Sequence, residues 1–286
     1  GLLEGNLLIG NLRQFQQVFR AHPVDFFVYE DHWLLNVLQA FQQALLQTLG
    51  LPVLVENANV GDHLNDHQGI NYTWAMKVPT YNDELRPWWG KLIAGMKYVL
   101  AGAGPLAKSI NHGGGFFRTD PGQPRPNMQL YMQAFSTLIP REGERPLLTP
   151  DPFPGMSIGL SNCRPTSRGQ IRIASADPMR HPRIVANAYS TNNDVEEMLA
   201  AVKFVRKIAA QPAFVARMKQ ELRPGPEVQS DEALIADFRA RSGTVYHPSC
   251  TARMGADEGS SVLDARLRVH GVAGLRVCDA SAFPNL

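Results

Sequence analysis

The sequence contains no run of about 18 consecutive apolar residues, which argues against a membrane-spanning helix. Cysteine is scarce. Cys163, Cys250 and Cys278 form an odd, widely spaced set that cannot be a disulfide framework. None is paired as C-x-x-C, so a thiolate zinc site is not expected. Such sparse use fits a reducing compartment and predicts a cytoplasmic protein. Charge of one sign is also missing. The net charge is +2, and Lys and Arg are scattered with no basic block interleaved with aromatics, so no nucleic-acid partner is expected. The opening residues Gly1–Asn6 have neither a positive n-region nor an apolar h-region, and predict no signal peptide. A G-x-G-x-x-G dinucleotide fingerprint is absent too. Gly102-Ala103-Gly104 comes nearest, but it follows a helical pattern rather than a strand, so the context of a phosphate-binding loop is lacking. There is no internal repeat and no low-complexity segment.

What is present is ordinary globular material: 286 residues, 44% hydrophobic and 19% charged, enough for a substantial core. Helical periodicity runs through residues 12–49, and Leu51–Val55 reads as a short strand. Residues 57–66 are polar and turn-like. An amphipathic helix is expected from Trp88 to Leu100, closed by the glycine-rich loop that follows. His112–Arg118 enters a β-like region, and Met128–Gln133 alternates as a strand. Pro-rich loops occupy residues 140–154. Met156–Cys163 and Gln170–Ala174 read as a hairpin around a long turn. A strong helix is expected from Asp194, and a shorter one from the Ser230 cap to Phe238. Helices, then mixed elements, then strands do not make a doubly wound sheet. They predict an α+β domain with a mostly antiparallel sheet and flanking helices. Trp74, Tyr131 and Phe135 are candidates for lining a pocket.

The chemistry concentrates near the C-terminus. Tyr246-His247-Pro248-Ser249-Cys250-Thr251-Ala252-Arg253-Met254-Gly255 is a poor helix and a poor core segment, and reads as a loop presenting one imidazole. An imidazole titrates near working pH and suits a general base for alcohol oxidation. A lone histidine is more often structural than catalytic, so the surrounding block must carry the argument. Leu275–Cys278, running into Asp279-Ala280-Ser281, reads as a buried strand that delivers a carboxylate. The plainer reading of Asp279 is a cap on the next turn. His63 and His67 lie four apart, but Gly61 and the surrounding Asn and Asp argue for a turn, and no metal site is expected.

Taken together, the His247–Gly255 block and the Leu267–Gly271 and Asp279–Ser281 segments resemble the C-terminal signature of the glucose–methanol–choline family of flavin-dependent alcohol oxidoreductases. Val60–His67 and Gly104-Pro105-Leu106 are similar to further blocks of the same family, and His112–Phe116 and Arg164–Gly169 resemble its choline-dehydrogenase-like branch. The match departs from the common pattern at Ser249-Cys250, where Val/Leu-Gly is usual, at Ala252, where Cys or Val is usual, and at His63, where Asn is usual. The resemblance implies FAD as cofactor, with Tyr246, Asp279 and Ala280 touching it. It further implies His247 as the base that takes a hydroxyl proton while a primary alcohol becomes an aldehyde. His270 would be structural. A hydroxynitrile-lyase-like activity would use the same residues; the other alternative is a truncated, inactive module that binds no flavin. The implied layout is residues 1–70 as a helical region and partial FAD-domain segment, 71–240 as the substrate-binding domain, and 241–286 as the C-terminal FAD-domain and active-site segment. The fold would thus include part of an FAD-binding α/β domain. With no dinucleotide loop in the sequence, the chain is expected to represent part of such a protein, and its partner is expected to be a small alcohol.

Overall fold

The computed structural model describes residues 50, 55–137, 150–177 and 179–286. The helical periodicity of residues 12–49 and most of the expected strand at residues 51–55 lie outside them. The first elements are β1 (Asp62–Leu64), β2 (Gln68–Met76), α1 (Tyr81–Leu85), α2 (Trp88–Ala101), β3 (Gly113–Phe117), β4 (Met128–Gln133) and β5 (Gly155–Asn162). There follow β6 (Gly169–Arg172), β7 (Arg183–Val185), α3 (Asn192–Ala209), α4 (Pro212–Val215), β8 (Met218–Arg223), α5 (Asp231–Arg241) and β9 (Gly243–Thr244). All strand pairings are antiparallel, as expected for an α+β chain.

Two compact units emerge. The first comprises the described residues of Gly1–Asp66 together with Arg168–Ala188 and His247–Leu286; the second comprises His67–Ser167 and Tyr189–Tyr246. The second unit is built on a six-stranded sheet in the order β3-β4-β5-β2-β8, with β9 also paired to β2. Every residue of β5 is buried, because β2 and β4 flank it and α3 packs against it. Its Gly159 lies so close to Tyr131 on β4 that an added Cβ would sit 1.9 Å from the ring, so no other residue fits there. Met198, Val202 and Val205 of α3 and Leu234 and Phe238 of α5 are fully buried, the expected stripe of an amphipathic helix.

The caps explain where these helices start. Ser230 accepts from the backbone N–H of Ala233 at 3.2 Å. Thr191 caps α3, so the helix begins at Asn192, two residues before the expected Asp194. Asp194 instead turns its buried carboxylate outward from the helix start. It accepts from the N–H groups of Thr166 and Ser167, each at 2.8 Å, and from the Thr166 hydroxyl at 2.8 Å. Burial alone would raise its pKa, but the hydrogen bonds from Ser167 and Thr166 outweigh that and hold it below the usual carboxylate range. Thr166 and Ser167 of the motif are thereby tied to the N-terminus of a helix.

Two expectations need correction. The hairpin does not form: β5 pairs with β2 and β4, whereas β6 belongs to a separate three-stranded sheet, β1-β6-β7, in the first unit. Residues 275–278 are not a buried strand either. Arg268 and Arg276 make one isolated bridge, only Val277 of the four is buried, and Cys278 is exposed. The first unit's core is instead gathered from loops: Val60, Ala252, Val262, Leu263, Val269, Val277 and Ala282. Of the pocket candidates, Trp74 is core at 3% exposure, and Phe135 borders a cavity of about 300 Å³ with Tyr81, Leu106 and His112. Among the described residues, no helix is long and apolar enough to cross a membrane.

Candidate functional site

Within the first unit, the loop bearing His247 is held from both sides by backbone. On one side, Asn65 and Ser249 exchange N–H···O=C bonds of 3.1 and 2.9 Å, and the N–H of Gly61 donates to the carbonyl of Thr251 at 2.8 Å. On the other, the N–H groups of Cys250, Ala252 and Met254 donate to the carbonyls of Ala280, Ser281 and Ala282 at 3.3, 2.9 and 2.9 Å. Alternate residues thus donate to three successive carbonyls. The histidine loop and the Asp279–Ala282 turn therefore form one ribbon, backed by buried Ala252, Val277 and Ala282.

His247 is exposed, and its backbone N–H donates to a carboxylate oxygen of Asp66 at 3.1 Å. Asp66 was not singled out from sequence; the signal was the density of Asn and Asp between residues 57 and 66. That density serves the loops. The Asn57 amide donates to the carbonyl of Ser261 at 2.9 Å, and that of Asn59 to the carbonyl of Gly259 at 3.1 Å.

Asp279 performs the capping role. Its carboxylate accepts from the N–H of Ser281 at 2.8 Å and also from the Ser281 hydroxyl, closing the 3-10 turn Ala280–Ala282. What this turn presents outward is small. Ala280 is exposed, Ser281 is half-buried and Ala282 is buried. Tyr246 is the last residue of the second unit, 77% exposed, and its N–H donates to the Thr244 hydroxyl at 2.8 Å. The structure thus gathers His247, Asp279 and Ala280 into one unit.

The departures from the family pattern acquire a physical reason here. Cys250 has φ 72° and His63 has φ 64°. Left-handed backbone favours glycine, and among other residues Asn and His are tolerated best. A Gly-for-Cys and an Asn-for-His preference is what such positions ask for. His63 accepts this strain while its ring contacts the Asn59 amide oxygen at 3.3 Å. Burial first, then the nearby Arg253 guanidinium, lower its pKa. No cluster of metal ligands occurs among the described residues. His270 is structural: its ring meets the Ser261 hydroxyl at 3.1 Å and lies 3.7 Å from the Glu258 carboxylate.

Does this edge suit a flavin? A planar, partly apolar ring needs an open surface of small side chains beside polar backbone. Ala280, Ser281 and the exposed His247 provide that, so the fit holds for the ring end of the cofactor. The sequence offers no glycine-rich loop for the pyrophosphate end.

Residues 165–286 match the family model described as GMC oxidoreductase. The oxygen-dependent choline dehydrogenase of Pseudomonas putida is 34% identical over 242 residues, covering 85% of this chain and 42% of that protein. Its namesake from Serratia proteamaculans is 35% identical over 241 residues, 84% of this chain and 42% of that one. Among solved structures, a formate oxidase from Aspergillus oryzae RIB40, solved to follow the effect of a mutation on its FAD modification, superposes with a TM-score of 0.77. It is 22% identical, over 87% of this chain and 48% of that one. A fungal aryl-alcohol oxidase gives 0.67 and 25% over 85% and 47%. The chain spans about 42% of the length of the curated relatives it matches.

Proposed function

The chain belongs to the glucose–methanol–choline family of oxidoreductases, and from that premise we propose that the protein oxidises a primary alcohol to an aldehyde with FAD as cofactor. The observation that carries this reading is the ribbon of backbone hydrogen bonds joining the His247 loop to the Asp279–Ala282 turn. A base and the edge of a cofactor site must keep a fixed separation, and a shared ribbon supplies it.

Asp279, Ala280 and Tyr246 are assigned to hold FAD. When bound, FAD supplies the two-electron acceptor for the hydride of the alcohol carbon. The chain's own part is the proton. A ring nitrogen of His247 accepts it from the substrate hydroxyl, raising electron density on the oxygen as the C–H bond weakens. Asp66 fixes the loop by accepting the His247 N–H. Asp279 acts through its cap, holding the Ala280 turn in shape. The three cysteines are all free thiols, which favours a cytoplasmic setting.

The test is His247→Ala in the flavin-loaded protein, assayed by anaerobic bleaching of the flavin with alcohol. Turnover is expected to fall roughly 10²–10⁴-fold, the usual contribution of a general base, with flavin absorbance retained. An unchanged kcat with flavin bound overturns the assignment.

A further inference from the structure

Helix α2 turns its apolar face to solvent. Trp88, Trp89, Leu92, Ile93, Met96, Val99 and Leu100 are 72, 56, 54, 42, 46, 80 and 83% exposed. At about 100° per residue, these seven fall within one arc of about 140°. Lys97 borders that arc on one side and Lys91 lies beyond the other edge, both exposed. The opposite side faces the protein. Gly90 and Ala94 are buried, and a Cβ on Gly90 would meet the carbonyl of Glu84 at 1.8 Å. The patch continues into the 3-10 turn Pro105–Ala107, which packs on α2. There Leu106 and Ile110 are 56 and 45% exposed beside exposed Lys108.

The charge around this face has one sign. Residues 85–119 contain no Asp or Glu, but they do contain Arg86, Lys91, Lys97, Lys108 and Arg118. Glu84 sits behind the helix, 3.7 Å from the Lys97 ammonium. Asp83 is committed to the Thr80 capping box.

We infer that α2 is an interfacial helix that docks this protein on an anionic lipid surface. A pure apolar arc with tryptophans, flanked by lysines and free of acids, is the composition of a helix lying in the plane of a membrane. The lysine stems reach past the apolar arc while their ammonium groups meet lipid phosphates. A second copy fits less well, because self-pairing would set lysine against lysine with no acid in the helix to answer. The helix lies on the membrane rather than across it: at 14 residues it is too short to span.

The experiment is co-sedimentation of the whole chain with phosphatidylcholine vesicles, with and without phosphatidylglycerol. Binding is expected only with the anionic lipid, with a blue shift of tryptophan emission that Trp88→Phe/Trp89→Phe removes. Lys91→Gln and Lys97→Gln should each lower partitioning roughly 5-fold. Leu92→Gln/Val99→Gln should abolish it while leaving the melting temperature unchanged, since both side chains are exposed. Absence of binding to anionic vesicles overturns the inference, as does binding indifferent to these variants. So does a dimer in solution that Leu92→Gln/Val99→Gln converts to monomer without any vesicle binding.

Discussion

Position 250 tests whether backbone conformation, rather than thiol chemistry, governs the histidine loop. Cys250 is 1% exposed with φ 72°, and its N–H makes the first bond of the ribbon to the Asp279–Ala282 turn. A non-glycine residue in the left-handed region costs about 1–2 kcal/mol. Cys250→Gly recovers that amount. It then loses about 1 kcal/mol from the buried side chain and about 0.5–1 kcal/mol from the freer unfolded chain. The sum is close to zero, so Cys250→Gly should melt within a few degrees of the parent. Cys250→Val keeps a buried apolar side chain of similar size, yet puts a β-branched residue where φ is positive. Its added strain and crowding should cost about 2–4 kcal/mol, combining a forbidden rotamer with overpacking. At about 2–4 °C per kcal/mol for a chain of this order, the melting temperature should fall by roughly 5–10 °C. Thermal unfolding followed by circular dichroism separates the two variants. If valine and glycine melt together, the left-handed backbone is not what the position demands, and the explanation given for glycine in the family pattern collapses.

Two further perturbations follow from the same structure. Asp194→Ala strands the buried N–H of Ser167 and removes three short hydrogen bonds, so it should cost about 2–3 kcal/mol, read as a shift in the denaturation midpoint; a loss under 1 kcal/mol would refute the anchoring role. Because its pKa is held below 3.8, the part of that stability set by its ionisation is present above pH 3.8 and is lost as the pH falls through the lowered value. His63 behaves in the same direction for the opposite charge type. Its folded pKa lies below 6.5, so the fold favours the neutral ring, and stability is kept above pH 6.5 and lost below it. His63→Asn should flatten the melting temperature between pH 7 and pH 5.5; a slope equal to the parent's would show that another group is titrating.

Local signals were legible where local physics decided the outcome. The alternation of Met128–Gln133 is strand β4, and Ser230 starts its helix because its hydroxyl satisfies an orphan N–H group; the Thr191 cap was passed over in favour of Asp194. The false hairpin shows the limit. Met156–Asn162 is apolar enough for a central strand, but nothing in it says that its neighbour is β2, more than eighty residues earlier. The Leu275–Cys278 segment misled for a related reason: an apolar run looks the same in a strand and in a loop that feeds one valine into a core. At the site, His247 and Asp279 were visible from their motif, and the capping role of Asp279 from its residue type. The positive φ at Cys250 was not, because a cysteine side chain does not announce a left-handed backbone. Helix α2 was recognised as amphipathic, but periodicity cannot say which face turns inward.

The division of the chain has a consequence for how it is made. The polypeptide passes between the two units at residues 66/67, 167/168, 188/189 and 246/247. Asn65 and Ser249, whose backbones clasp each other beneath the histidine loop, are separated by 184 positions. At synthesis rates of about 5–20 residues per second, Asn65 waits roughly 10–40 seconds for its partner. Throughout that interval the nascent first unit has no closed core, while the second unit's sheet can assemble. The clasp beneath the histidine loop therefore closes only after residues 67–246, and with them the whole second unit, have been synthesised.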